Sequence, residues 1–141
     1  MPEAERVATV VREWVEKAEN DLENAIRVIR SGEGCPADTV CFHAQQCVEK
    51  YLKALLVWRG IPVPKTHSIR DLLTLIPATL RPRIEQGEQD RLTEYATVTR
   101  YPGDYEPVST SEARKAIALA RRVRRSVRRF LPRASTRRRT K

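Results

Sequence analysis

Apolar residues in the first quarter of the chain repeat with the period of a helix. Between residues 3 and 31 they are spaced by four or three positions, which places them on one side of an amphipathic helix. The residues of this stripe are Val7, Val11, Trp14, Ala18, Leu22, Ala25 and Ile29. We expect the helix to end near Ser31-Gly32, because glycine readily adopts the left-handed conformation found at helix C-termini.

Prolines and glycines divide the rest of the chain into further helical stretches. A second helix is predicted after Pro36, running to Gly60, and the IPVP segment at 61–64 cannot continue it because proline lacks a backbone donor. Three more helices are predicted: a short one in THSIRDLLTLIP capped by Thr66 or Ser68, one around 82–98 interrupted by Gly87, and a last one from Ser109 to Pro132. YPGDYEP is predicted to be a loop. Alternating strand patterns are absent, so we expect an all-α, up-down bundle of four main helices plus a short one.

The length and composition fit one soluble domain. The chain has 141 residues, of which 40% are apolar and 32% charged. No apolar run approaches the ~18 residues that a membrane-spanning helix needs. The N-terminus lacks the features of a secretory signal, so we expect a cytoplasmic protein. We place a helical bundle at 1–131 and a basic, mobile C-terminal tail at 132–141, since RASTRRRTK has no large apolar residue to dock.

The charge of the chain is strongly asymmetric. Residues 1–112 hold fourteen basic and eighteen acidic residues, for a net charge of −4, whereas residues 113–141 hold thirteen basic residues and no acid. In the last helix, arginines surround a helically spaced apolar stripe. One interpretation is a sequence-independent contact with RNA or DNA phosphates. The other is a solvated helix whose positive end complements its own dipole, followed by a fraying terminus.

Cysteine and histidine spacing gives no support for a metal or redox site. Cys35, Cys41 and Cys47 are odd in number and six residues apart, which matches neither a disulfide framework nor the paired cysteines of zinc sites. Cys47 falls in an apolar stripe and is interpreted as a small core residue. The two histidines lack nearby carboxylates at ligand spacing, so we expect no metal and no cofactor.

The second helix carries a polar face. His43, Gln46, Lys50 and Lys53 recur at intervals of three, four and three residues, and Gln45 and Glu49 lie beside them. This face is either one wall of a groove that offers two ammonium groups to phosphates, or a solvated surface with a Glu49–Lys53 ion pair. On its own, His67 is interpreted as a loop or capping residue.

Three segments together resemble a known family. They are CFHAQQCVEKYLKALLVWRG, then KTHSIRDLL, then TRYPGDY, and they resemble in the same order the HEPN domain, a nucleotide-binding helical bundle. The resemblance covers roughly residues 10–131. It implies a bundle of four or five helices, a homodimer, and a partner minimal nucleotidyltransferase in a toxin–antitoxin-like module. Many HEPN proteins are metal-independent ribonucleases, with an arginine followed after four to six residues by a histidine at the dimer cleft.

The expected histidine is missing from this chain. Arg100 is the matching arginine, but no residue from 101 to 141 is a histidine. Proton transfer near neutral pH suits histidine, with a pKa of about 6.5, far better than tyrosine, at about 10. Arg100 can still bind or stabilise a phosphate, and Tyr101 or Tyr105 can donate a hydrogen bond.

Three hypotheses of function follow from the resemblance and the polar face. The first is a nucleotide- or nucleic-acid-binding HEPN subunit that acts with a partner nucleotidyltransferase. Its phosphate-binding residues would be His43, Gln46, Lys50, Lys53, His67, Arg100 and Tyr101. The second is a toxin-like ribonuclease that uses Arg100 with Tyr105 as a substitute at the dimer cleft; whether the chain is an enzyme stays open. The third is a module that dimerises or docks a partner through Val10, Val15 and Ile26, which lie off the first apolar stripe.

Overall fold

The fold was analysed in a computed structural model, which describes residues 2–96 and 107–137. Helix α1 spans Glu3–Ile29, α2 spans Ala37–Trp58, α3 spans Ile69–Leu75, α4 spans Gln86–Tyr95, α5 spans Thr110–Arg128 and α6 spans Arg133–Thr136. No strand occurs within these ranges, so the all-α prediction is confirmed. None of these helices is long and apolar enough to cross a bilayer.

Helix α2 is the centre of the bundle. It contacts α1 and α5 most extensively, and α3 and α4 also pack against it. Most of its side chains are therefore buried, including the large residues Tyr51, Leu52, Leu55 and Leu56. Cys47 is fully buried among them, as predicted. A polar residue on the buried part of α2 therefore needs a partner inside the protein.

Glycines and hydroxyl caps set the helix ends close to where the sequence predicts them. α1 stops at Ile29, and Gly32 follows with a φ of 94°. α2 stops at Trp58, and Gly60 has a φ of 72°, which lets the Ile61 amide donate back to the Leu56 carbonyl at 2.9 Å. These left-handed conformations favour glycine because it has no Cβ.

The caps of the later helices also follow the sequence. The Ser68 hydroxyl accepts the Asp71 amide at 3.2 Å, and the Ser109 hydroxyl accepts the Glu112 amide at 3.0 Å. Helix α4 begins later than the predicted residue 82, since Glu85 and Glu88 form a capping box that fixes the start at Gln86.

The chain after Pro132 differs from the predicted mobile tail. Residues Arg133–Thr136 form α6, which packs on α1. Arg12 donates to the Ala134 carbonyl at 2.6 Å, and the buried Ser135 hydroxyl donates to the Ala8 carbonyl at 3.3 Å. Small polar residues dock here through backbone carbonyls, so an absence of large apolar residues did not imply an absence of order. Residues 138–141 lie outside the described part of the chain.

We expect the α6 contacts to contribute measurably to stability. A chain shortened to end at Pro132 loses the Ala134 and Ser135 hydrogen bonds, at roughly 0.5–1.5 kcal/mol each. Urea denaturation should therefore show a loss of about 1–3 kcal/mol. A chain ending at Arg137 keeps both bonds and is the control. Equal stability of the two shortened chains would show that α6 adds nothing.

Candidate functional site

Four charged or amide side chains lie inside the bundle where α1 and α2 meet the segment before α3. Gln45 is 0% exposed, Glu49 is 3%, and Asp21 and Lys53 are each 7% exposed. Burying such groups is costly unless each finds a partner. All of them do, because no described buried side-chain nitrogen or oxygen lacks a hydrogen bond. They form two groups, each built around one carboxylate.

The first group surrounds Glu49. Its Oε1 atom accepts from the Gln45 amide at 3.1 Å and from His67 Nδ1 at 2.7 Å, while its Oε2 atom accepts from Lys53 Nζ at 3.1 Å. Gln46 extends this hydrogen-bond network, because its side-chain amide donates to Oε1 of Gln45 at 2.6 Å. Residues 45, 49 and 53 lie on successive turns of α2, which explains why they meet. We call this set the Glu49 cluster.

The second group surrounds Asp21 of α1. Asp21 Oδ1 accepts from His43 Nδ1 at 2.8 Å, and Oδ2 accepts from Lys50 Nζ at 2.5 Å. His43 and Lys50 are seven residues apart on α2, so both reach the same point on the facing helix. This Asp21 cluster joins α1 to α2 by charge-assisted hydrogen bonds.

Both carboxylates fix the orientation of a histidine. An ionised carboxylate only accepts hydrogen bonds, so the proton lies on Nδ1 of His43 and of His67. The Nε2 atom of each ring is then the one left for an outside group. The His67 side chain is 69% exposed and that of His43 is 24% exposed. His67 thus presents an oriented imidazole at the surface, held from below by a buried cluster.

A third charged group connects α5 to α1 and α2. Arg124 donates to Glu19 through Nε at 2.8 Å and a terminal nitrogen at 2.7 Å, in bidentate geometry. Arg128 lies 3.5 Å from the same carboxylate and donates to the Tyr51 hydroxyl at 3.2 Å. Its charged residues line a groove of about 770 Å³ among α1, α5 and α6.

Electrostatics in this third group follow from its geometry. Burial on its own would raise the pKa of Glu19, but the hydrogen bonds from Arg124 and Tyr51 and the arginine charges outweigh it and lower that pKa. The pKa of Tyr51 is raised, first by burial and then by the negative charge of Glu19. Arg124 and Arg128 are therefore engaged inside the protein rather than on a free basic face.

Comparison with known proteins identifies the family. The HEPN domain profile matches residues 11–130, which is most of the chain. The chain belongs to the HEPN family. The crystal structure of an archaeal HEPN homologue superimposes with a TM-score of 0.68 at 30% identity, covering 86% of this chain and 98% of that one. None of the curated proteins matches. Family membership indicates a nucleic-acid-related function for this HEPN protein.

Five of the residues predicted to bind phosphate lie together along α2 and the following loop: His43, Gln46, Lys50, Lys53 and His67. Their environment differs from both interpretations of the polar face. Lys50 and Lys53 are paired with buried carboxylates instead of being open to phosphates, and the Glu49–Lys53 pair is buried instead of solvated. The other predicted residues, Arg100, Tyr101 and Tyr105, lie outside the described residues.

Sequence reasoning missed the two carboxylates that organise this HEPN site. Glu49 was placed beside the polar face, but its role as the shared acceptor for Gln45, Lys53 and His67 was not foreseen. Asp21 was not singled out at all. A signal existed, since Asp21 directly precedes Leu22 at the edge of the apolar stripe, where a charged residue has to be buried or paired.

Burial in the core accounts for Cys41 and for two of the three residues predicted to form a second contact surface. Burial raises the pKa of the Cys41 thiol to about 12. Within residues 2–96 and 107–137, no three or more histidine, cysteine or acidic side chains cluster in a way that could hold a metal ion. Of the three residues predicted for a second contact surface, Val15 is buried in the core and Ile26 is partly buried against the core. Val10 is the exposed one.

Proposed function

We propose that this HEPN protein is a nucleotide- or nucleic-acid-binding subunit that acts as a homodimer with a partner minimal nucleotidyltransferase. One observation carries the binding role: His67 is an exposed imidazole whose orientation is fixed by a buried carboxylate. Family membership supplies the ligand class.

A purely structural role explains the Glu49 cluster poorly. A buried ion pair is weak support for stability, because its desolvation cost often exceeds its attraction. The cluster does have a clear effect on His67, whose ring it holds in one tautomer. An imidazolium donates from both ring nitrogens, so in that form His67 would hold Glu49 through Nδ1 and a phosphate oxygen through Nε2.

The Asp21 cluster would extend the same binding surface. The side chains of His43 and Lys50 are 24% and 20% exposed, so each keeps an accessible edge while bonded to Asp21. A mononucleotide phosphate would contact His67 first. A longer ligand would reach the His43 and Lys50 edge along α2.

Titration of ATP by calorimetry tests the role of His67 through two different substitutions. His67→Asn keeps a side-chain amide that can replace Nδ1 toward Glu49 but lacks a donor at the Nε2 position. A hydrogen bond to a charged group is worth about 1.5–3 kcal/mol, so this variant should bind ATP roughly 10- to 100-fold more weakly. His67→Gln carries its amide at the Nε2 position and should retain part of the affinity.

Lys17→Gln is the control, because it removes an exposed positive charge from α1. It should leave ATP affinity unchanged. If wild-type protein shows no binding at millimolar ATP, with or without a co-expressed nucleotidyltransferase, the proposed function fails. A pull-down of the co-expressed nucleotidyltransferase with an affinity-tagged form of this chain tests the partner, and the absence of that enzyme from the eluate would contradict it. A monomeric mass in solution would contradict the dimer.

A further inference from the structure

A second groove runs along the other edge of α5. It has a volume of about 550 Å³ and lies between α5 and the segment at 81–83. Its lining residues are Arg81, Pro82, Arg83, Arg122, Val123, Arg125, Ser126 and Arg129. Five of these eight are arginines and none is acidic. We call it the arginine groove.

The two edges of α5 differ in how their arginines are neutralised. The α1 edge places Glu16, Glu19 and Glu23 opposite the arginines, and Glu19 binds Arg124 and Arg128. The arginine groove has no such acidic wall. Among the groove arginines, Arg122 pairs with a carboxylate, that of Glu88. Within the described residues, no carboxylate pairs with Arg83, Arg125 or Arg129. Arg125 borders both grooves, and the arginine groove is the one whose lining holds no acidic side chain.

Neighbouring protein atoms hold two of the groove arginines in position. Arg81 donates from Nε and a terminal nitrogen to the Ile76 carbonyl at 3.2 and 2.8 Å. Arg122 donates to the Arg83 carbonyl at 3.2 Å and to Glu88 at 2.9 Å. A guanidinium has five N–H donors, so both keep donors for an outside ligand. Holding them in place reduces the side-chain entropy lost on binding.

We propose that the arginine groove binds the phosphodiester backbone of RNA or DNA without reading bases. This inference rests on the nucleic-acid branch of the proposed function but assigns it a surface separate from His67. Arg122 and Arg129 are seven residues apart, or about 10 Å along the helix axis. That length matches about three phosphates of one strand of a duplex, at ~3.4 Å each. The lining residues include no aromatic side chain on which a base could stack.

The test is the salt dependence of binding to a fluorescein-labelled duplex, measured by anisotropy between about 50 and 200 mM salt. The double variant Arg83→Gln with Arg129→Gln removes two exposed groove charges. Each lost phosphate contact should reduce the slope of log K against log salt by about 0.9, so the double variant should lose about 1.8. We expect its affinity at the lowest salt to fall at least tenfold, with an unchanged thermal melt.

The matched control is Arg30→Gln with Arg59→Gln, which removes the same charge from exposed sites at the ends of α1 and α2. It should keep the wild-type slope. Equal loss in both double variants would overturn the groove in favour of general charge attraction. Tighter binding to polyglutamate than to the duplex would overturn it in favour of an acidic protein.

RNA and DNA duplexes of the same sequence are compared directly. The proposal is supported if at least one of them binds and loses affinity in the groove variant. Binding by neither overturns it. ATP titration separates this result from the His67 proposal. Loss of duplex binding in the groove variant with normal ATP affinity places the two ligands on different surfaces. Duplex binding that survives the groove variant but fails in His67→Asn would overturn the groove while supporting the α2 site.

Discussion

Replacing Glu49 with alanine should destabilise the bundle by about 3–5 kcal/mol, as removal of one partner from a buried ion pair typically does. Lys53 is 7% exposed and would lose its carboxylate, and Gln45, at 0% exposed, would lose the acceptor for its amide. The Lys53 ammonium also lies 5.6 Å from the Trp14 ring centroid, a contact too weak to balance an unpaired buried charge. Urea denaturation followed by circular dichroism measures the loss.

The control is Glu13→Ala, because Glu13 is exposed on α1 and should change stability by no more than about 0.5 kcal/mol. A second variant separates the removal of charge from the removal of its partner. Gln45→Leu, Glu49→Leu and Lys53→Met together replace the polar cluster with apolar groups of similar size. Such replacements are often neutral or stabilising, so the triple variant should be more stable than Glu49→Ala. A triple variant less stable than the single one would show that the cluster itself stabilises the fold.

The triple variant also connects stability with function. If it folds well, Glu49, Lys53 and Gln45 are not needed to hold the bundle together. His67 would then have lost only the group that orients it. Weak ATP binding by a stable triple variant would assign the cluster to positioning His67, which a merely structural role would not produce.

The sequence predicted the helices well because their signals are local. The four- and three-residue spacing of apolar positions in α1, the glycines after α1 and α2, and the hydroxyls at Ser68 and Ser109 each act within a few residues of their effect. The error at the C-terminus has a different origin. α6 is held by hydrogen bonds from Arg12 and to Ala8, which lie more than 120 residues away in sequence. No local pattern encodes such contacts.

The site was only partly predictable for the same reason. The spacing of His43, Gln46, Lys50 and Lys53 placed them on one face, as observed, but spacing on one helix does not reveal what lies opposite. Asp21 comes from α1 and His67 from a loop, and both reach α2 through tertiary packing. These contacts pair both predicted open ammonium groups with carboxylates and leave His67 as the most exposed side chain of the site.

The arginines of α5 show the same limit on a larger scale. The sequence shows an excess of positive charge and no acidic residue between 113 and 141, but it does not reveal that the arginines of α5 lie in different environments. Packing divides them, because Glu19 of α1 engages Arg124 and Arg128, Arg129 lines the groove beside 81–83, and Arg125 borders both grooves. The structural interpretation therefore applies to Arg124 and Arg128, and the proposed phosphate contact concerns the arginine groove.

The ion pair between Glu19 and Arg124 predicts that the effect of Glu19→Gln on stability depends on pH. At pH 7 the variant should lose about 1–2 kcal/mol, since Arg124 keeps only a neutral amide partner and about a third of each side chain is exposed, which weakens the pair. The pKa of Glu19 is lowered in the folded protein from its ordinary value of 4.5. A carboxyl whose pKa falls on folding stabilises the native state above its unfolded pKa, and this contribution disappears as the pH falls through the folded pKa.

The difference between wild type and Glu19→Gln should therefore be full at neutral pH and shrink below about pH 4.5. At the acid end Glu19 is protonated in both the folded and unfolded states, and a protonated carboxyl resembles the glutamine that replaces it. Urea denaturation at pH 7 and at successively lower pH measures this difference. Glu13→Gln, at an exposed position, should show almost no difference at any pH. A gap for Glu19→Gln that stays constant into acid would mean that the lost stability comes from packing, because the ionic contribution of Glu19 disappears once its carboxyl is protonated.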